Sequence, residues 1–380
     1  MNILIGGDLV PTDENLELFN NGNLESLLGN NLKNIWLNSD VKIFNLEVPL
    51  YDRENPINKW GPNLIAPTSV IYGIEKLKPS LITLANNHIL DHNIEGLKST
   101  IDTLNKKGLA HVGVGNDIFE ASAGYVIEHS GVKIGVYACS ENEFSTANEN
   151  SAGANPFDPI DSLEHISNLK QESDYLIVLY HGGKEHYRYP SPYLQRVSRK
   201  MVDRGADVVI CQHSHCIGAK EEYKGSTIIY GQGNFIFKRK SNEYWNSSLL
   251  INIELNDKVR LEYIPIVATE RGTRLADTHE STSILNDFSK RSEEIKEKGF
   301  VSRKYLEYAD TQLDNYLRSL SGLNKWVYRF DKYICRGLLF KKMFNEKRLL
   351  AIQNYIECEA HRELLLEGLK YRSTRLRRKI

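Results

Sequence analysis

The chain has 380 residues, enough for one large domain with an extension or for two domains. Lysine plus arginine number 48 and aspartate plus glutamate 49, so no global basic excess points to nucleic acid as a partner. The five cysteines form no Cys-x-x-Cys pair, no apolar run reaches the ~20 residues of a membrane span, and the first residues lack a signal peptide's basic start and apolar core. A reduced, cytoplasmic setting is expected.

Residues 2–6 read as a first strand ending at Gly6-Gly7-Asp8. Apolar residues at 24, 27, 28, 32, 35 and 36 predict a helix over Leu24–Leu37. The strand Val41–Phe44 runs into Asn45-Leu46-Glu47-Val48-Pro49. An irregular loop, 51–67, carries Pro56, Pro62 and Pro67 around Lys59-Trp60-Gly61. Loops this long within a domain are often functional. A short helix over 69–77 precedes the strand Leu81-Ile82-Thr83 and the polar cluster Leu84-Ala85-Asn86-Asn87-His88. The next helix starts near Asp91, with Ile94, Leu97, Ile101 and Leu104 on one stripe and Gly108 at its end.

A fourth strand follows at 110–115, two more at 124–128 and 132–138 flank Ser130-Gly131, and a helix covers about 158–172. Strand 174–180 delivers a second cluster, His181-Gly182-Gly183-Lys184-Glu185. Pro190-Ser191-Pro192 opens a helix closed by Gly205, and strand 206–211 delivers a third cluster, Gln212-His213-Ser214-His215. Strand 226–230 leads into Gly231-Gln232-Gly233-Asn234, and 248–255 with 258–264 read as a hairpin around Asn256-Asp257. From about 275 charged helical sequence takes over. The expected division is a domain over 1–270 and a helical extension over 271–380 with a basic tail at 371–379.

Each cluster follows a continuous aliphatic run of the kind that suits a strand covered on both faces. Ligands in open α/β sheets bind beyond the carboxyl ends of strands. Four of the eleven histidines fall at such ends, so these ends are expected to converge on one site. The inventory there is Asp8, Glu47, Asn87, His88, His181, His213 and His215. Carboxylate, amide and imidazole together suit Mn, Fe or Zn better than calcium, which takes oxygen alone. Such ligands can hold two ions ~3.5–4 Å apart with one carboxylate bridging. Asn87 is expected to bind metal while the adjacent His88 faces substrate as acid or electrostatic stabiliser. Lys184 and Arg188 either meet an anionic substrate, phosphate or polymer carboxylate, or belong to a solvated charged face.

The order Gly7-Asp8, Asn45-Leu46-Glu47, Asn86-Asn87-His88 with Asp91, His181-Gly182 with Glu185, and His213-Ser214-His215 resembles the CapA family of capsule and poly-γ-glutamate biosynthesis, within the calcineurin-like metallophosphatase superfamily. The match covers roughly residues 2–265. It implies an α/β/β/α sandwich. It also implies metal ligation by Asp8, Glu47, Asn87, His181, His213 and His215, catalysis by His88, and orientation of histidines by Asp91 and Glu185. The superfamily's first motif usually reads Asp-x-His, whereas Leu9 and Val10 follow Asp8 here. One ligand of a first metal is missing, and one or two divalent ions are expected. Ser214 replaces a proline common between the final histidines.

The leading reading is a metal-dependent hydrolase of phosphoesters acting in capsule or exopolymer synthesis. The alternatives are an amide hydrolase cutting γ-glutamyl links and a non-catalytic component of polymer assembly. In the extension, Trp326, Val327, Phe330, Tyr333, Ile334 and Leu338 form an apolar stripe over 324–344. Lys325, Arg329, Lys332 and Arg336 form a basic one. Packing of the apolar stripe on the catalytic domain is the favoured expectation, and peripheral contact with an anionic inner-membrane surface is the competing one.

Overall fold

A computed structural model describes residues 1–238, 242–255 and 259–377, side chains from 373 onward excepted. It divides into two compact units, Met1–Tyr305 and Leu306–Ile380.

The first unit is built on two sheets whose strands alternate between cores. In the strand Asn2–Leu9, Ile3 and Ile5 join a core with Ile134, Val136, Ile177 and Leu179 of the other sheet. Leu4 faces the opposite way, into a core under the helices Leu24–Asn38, Ile71–Lys76 and Asn93–Lys106. In the strand Tyr175–His181, Leu176, Val178 and Tyr180 meet Ile166 and Met201 of the helices Asp161–Gln171 and Pro192–Asp203. The result is four layers, the α/β/β/α sandwich the motif order implied.

The first sheet runs Thr273–Leu275, Val259–Ala268, Ser247–Leu255, Asn2–Leu9, Val41–Leu46, Leu81–Thr83, His111–Val112, with Asn234–Ile236 also paired to Asn2–Leu9. Pairing is parallel from Asn2–Leu9 through His111–Val112 and antiparallel from Asn2–Leu9 through Thr273–Leu275, while Asn234–Ile236 pairs parallel with Asn2–Leu9. The second runs Lys220–Tyr223, Ser226–Ile229, Val208–Gln212, Tyr175–His181, Val132–Ser140, Tyr125–His129, parallel in its centre. The registers set Asp8 beside Asn45 and Gln212 beside His181, so the parallel strands of both sheets stop near one level.

Several local features depart from the expected pattern. The helix from Leu24 is broken at Gly29, which takes φ 65°. The strand Lys220–Tyr223 was not expected, because its sequence is polar; it is an edge strand, where charged side chains discourage pairing with other chains. The stripe over 324–344 is two helices, Lys325–Tyr333 and Leu338–Met343, parted where Arg336 and Gly337 take positive φ. The turn at Asn256-Asp257 lies outside the described residues, and the strands flanking it pair antiparallel. The five cysteines are free, with Cys139 and Cys211 buried in the core beneath the outer helices of the second sheet. The composition change at 270–280 marks the switch to helix, but the first unit runs on to Tyr305, because Phe288, Ile295, Phe300 and Val301 are buried in its cores.

The turn 231–234 crosses the end of the first strand closely. A Cβ on Gly7 would lie 2.0 Å from the Gly233 carbonyl oxygen. Gly7→Ala is expected to destabilise the chain by ~1–3 kcal/mol or more, seen as a lowered Tm in scanning calorimetry. Gly368, with open space where its Cβ would be, is the control. Gly368→Ala should leave the Tm unchanged or slightly raised.

Candidate metal centre

Six of the side chains named from the motif order sit at the shared end of the parallel strands. The first sheet contributes Asp8 from the end of its first strand, Glu47 just past Val41–Leu46, and Asn87 in the turn after Leu81–Thr83. The second contributes His181, the last residue of Tyr175–His181, and His213 and His215 just past Val208–Gln212. His213 and His215 take φ of 75° and 52°. Non-glycine residues enter this region at a cost of ~1–3 kcal/mol, and such residues cluster at functional sites.

The contacts converge on one atom. His181 Nε2 lies 3.1 Å from Asn87 Oδ1, 3.1 Å from Glu47 Oε1 and 3.2 Å from His213 Nδ1. A single ring nitrogen carries at most one proton, so it cannot satisfy all three. Both oxygens of buried Glu47 accept no hydrogen bond. His215 Nδ1 is 3.7 Å from Asp8 Oδ2 and 2.9 Å from Asn234 Oδ1. Glu47 with His181 and His213, and Asp8 with Glu47 and His215, each bring their donor atoms within 4.8 Å of one another.

Burial sets the protonation of these groups. It raises the Asp8 carboxyl to about 7, with the Glu47 charge adding to the rise, and raises Glu47 to about 8. It lowers His181, holds His213 well below the usual imidazole range and brings His215 to about 3. The imidazoles are therefore neutral, the form that binds metal. The carboxylates lack a strong counter-charge. A divalent cation supplies it, satisfies the orphaned Glu47 oxygens and removes the conflict at His181 Nε2, so the donor set fits such an ion.

Further residues complete the site. His88 Nδ1 lies 2.6 Å from Asp91 Oδ2 and 3.3 Å from Lys59 Nζ, and Lys59 also forms an ion pair with Asp91. The Lys59 side chain is 3% exposed. Lys184 and Glu185 line a cavity of 390 Å³ shared with Glu141, Glu143, Tyr193 and His213. Among the described residues Glu185 makes no hydrogen bond to a histidine; Asp91 is the carboxylate that contacts His88. Arg188 is absent from that cavity lining: its guanidinium packs over Tyr244 at 4.8 Å and reaches the Ile217 carbonyl.

Sequence reasoning passed over Asn45 and Lys59. Asn45 was legible only as part of a motif. Its amide nitrogen donates to Asp8 Oδ1 at 2.8 Å and lies 3.2 Å from His181 Nδ1. Its oxygen accepts from Asn86, whose own oxygen accepts the His88 backbone N–H. The amide pair thereby ties the Asp8 carboxylate to the turn that bears His88. Lys59 lies in the loop 51–67, whose sequence shows its length and prolines but not its partners. Nothing local in the sequence shows that residues 51–67 fold back onto Asp91, as Ile57 and Leu64 do by donating their backbone N–H to its carbonyl and carboxylate.

With this geometry in place, residues 2–239 match the model of the bacterial capsule synthesis protein PGA_cap family, and the chain belongs to that family. It is 29% identical over 207 residues to the PGA biosynthesis protein CapA of Bacillus subtilis, covering 53% of this chain and 52% of that one. It is 27% identical over 240 residues to the capsule biosynthesis protein CapA of Bacillus anthracis, covering 60% and 58%. The chain thus spans about half the length of these relatives. Among solved structures, a phosphatase from Mycoplasma pneumoniae aligns with a TM-score of 0.44 at 15% identity, over 76% of this chain and 98% of that one.

Purified protein is expected to carry a divalent transition metal by elemental analysis, and His213→Ala to lose most of it. Asn45→Ala should keep the fold yet bind metal ~10–100-fold more weakly, as removal of a ligand-orienting partner does. Unchanged metal affinity in both variants would place the metal elsewhere.

Proposed function

We propose that the chain is a metal-dependent hydrolase of phosphoesters acting in capsule or exopolymer synthesis. The observation that carries the reading is the cluster of Glu47, His181, Asn87 and His213 at the strand ends, in which both Glu47 oxygens lack a partner and His181 Nε2 faces three groups at once. Asp8, Glu47, Asn87, His181, His213 and His215 would hold one or two ions, Mn, Fe or Zn. When bound, such ions activate water and polarise a phosphoryl or carbonyl oxygen.

His88 is assigned the proton transfer to the leaving group. Asp91 and Lys59 occupy its Nδ1 side, which leaves Nε2 without a hydrogen-bond partner among the described residues. With both ring nitrogens protonated, Nδ1–H would donate to the Asp91 carboxylate and Nε2–H would face the leaving group as the proton donor. Asn86 fixes the backbone of the same turn by accepting the His88 N–H at 3.1 Å. Lys184, exposed on the cavity that His213 lines, is assigned the anionic part of the substrate. Arg188 would meet it only after leaving the Tyr244 ring.

Generic phosphoesters and poly-γ-glutamate offered in parallel provide the test. Phosphate release is expected to exceed release of free glutamate. His88→Ala should lose ~10²–10⁴ of turnover while keeping its metal. Glutamate release without phosphatase activity would instead assign an amide hydrolase. Polymer binding with no turnover of either substrate, in metal-loaded protein, would assign an assembly component.

A further inference from the structure

The second unit carries a feature that the hydrolase reading does not use. Its helices Lys325–Tyr333 and Leu338–Met343 form a hairpin with a small core of its own. Tyr328 and Phe340 meet edge to face at 6.1 Å, Phe340 packs on Phe344 at 4.9 Å, and the Arg318 guanidinium lies over Tyr328 at 4.0 Å. A second set of apolar side chains stays out of that core. Trp326, Phe330 and Tyr333 recur at spacings of four and three along one helix face and are 66%, 53% and 72% exposed. Ile334 and Leu338 continue the exposed apolar surface past the helix end.

The charges around this face have one sign. Lys325, Arg329, Lys332, Arg336, Lys341 and Lys342 are all exposed, and none forms an ion pair among the described residues. Lys325 and Arg329 each lie 5.7 Å from the Trp326 ring, and Lys332 lies 5.7 Å from the Tyr333 ring. The one acid of the stretch is withdrawn. Asp331 is 2% exposed and caps the second helix, accepting the Leu339 N–H at 3.0 Å and the Phe340 N–H at 2.9 Å. Sequence alone counts Asp331 against the basic face; its position removes it from the surface.

We propose that this hairpin is a docking surface for an anionic lipid bilayer. Cations beside exposed Trp, Tyr and Phe match an interface in which rings sit at headgroup depth and long basic side chains reach the lipid charges. A soluble polyanion pairs with the cations but leaves the apolar face in water. The bilayer covers both, which decides between them. No helix among the described residues is long and apolar enough to cross a membrane, so contact by these helices is interfacial.

The test is flotation of the full chain with phosphatidylglycerol-containing and with neutral phosphatidylcholine vesicles, at low and high salt. The chain should float with the anionic vesicles only, and less at high salt. The triple variant Lys325→Glu, Arg329→Glu, Lys332→Glu should bind ~100-fold or more weakly. Trp326→Ser with Phe330→Ser should weaken binding with all cations kept, a loss that a purely ionic contact would not show. Circular dichroism checks that both variants stay folded. Absence of flotation at low salt overturns the proposal, as does binding that neither variant weakens. Capture of soluble poly-glutamate without flotation overturns it too, in favour of the polyanion.

Discussion

Two carboxylates, Asp8 and Glu47, are fully buried a few ångströms from three imidazoles, with no lysine or arginine in ion-pair distance of either among the described residues. Desolvation of two like charges is among the costliest arrangements a protein interior can hold. Burial pushes both carboxyl groups up and the three imidazoles down, each toward its neutral form. The same donor set would suit a divalent ion, which would supply the missing counter-charge. Much of the first unit serves this arrangement. Parallel strands of both sheets stop at one level, His213 and His215 take left-handed backbone, and the Gly7–Gly233 approach brings the turn bearing Asn234 against His215.

Beyond the ligands, a second tier of contacts sets orientation. Asn45 and Asn86 connect the Asp8 side of the centre to the His88 turn through amide hydrogen bonds. Asp91 performs the matching task for His88, and its own charge is met by Lys59. The long loop 51–67 is therefore anchored at the site by its middle. A buried lysine needs such a partner, and Asp91 holds the loop by backbone hydrogen bonds as well. The two tiers meet at the adjacent Asn87 and His88, the first 3.1 Å from His181 Nε2 and the second 2.6 Å from Asp91 Oδ2.

The same economy of acids appears in the second unit, to a different end. Asp331 is drawn inside to cap a helix, which leaves an exposed surface of cations and aromatic rings. In the centre, two carboxylates are buried without a cation at hand among the described residues; in the hairpin, one carboxylate is buried and the exposed cations are left without it.

The sequence by itself determined the layers, the strand ends and most of the residues at the site. Continuous aliphatic runs place strands between two covered faces, and a polar cluster directly after such a run lies at a sheet's carboxyl edge whatever the register. Motif order singled out Asp8, Glu47, Asn87, His181, His213 and His215, and the fold brings these side chains together at the strand ends. Tertiary structure alone decided that Asn45 turns its amide on Asp8, that Lys59 returns to Asp91 across 32 positions, that Arg188 rests on Tyr244, and that the stripe after residue 324 breaks into a hairpin around Asp331. These depend on contacts between segments far apart in the chain or on which way a side chain turns at a helix break. Local propensity and periodicity describe a residue's neighbours along the chain, and they hold no information on which distant group will satisfy a buried charge.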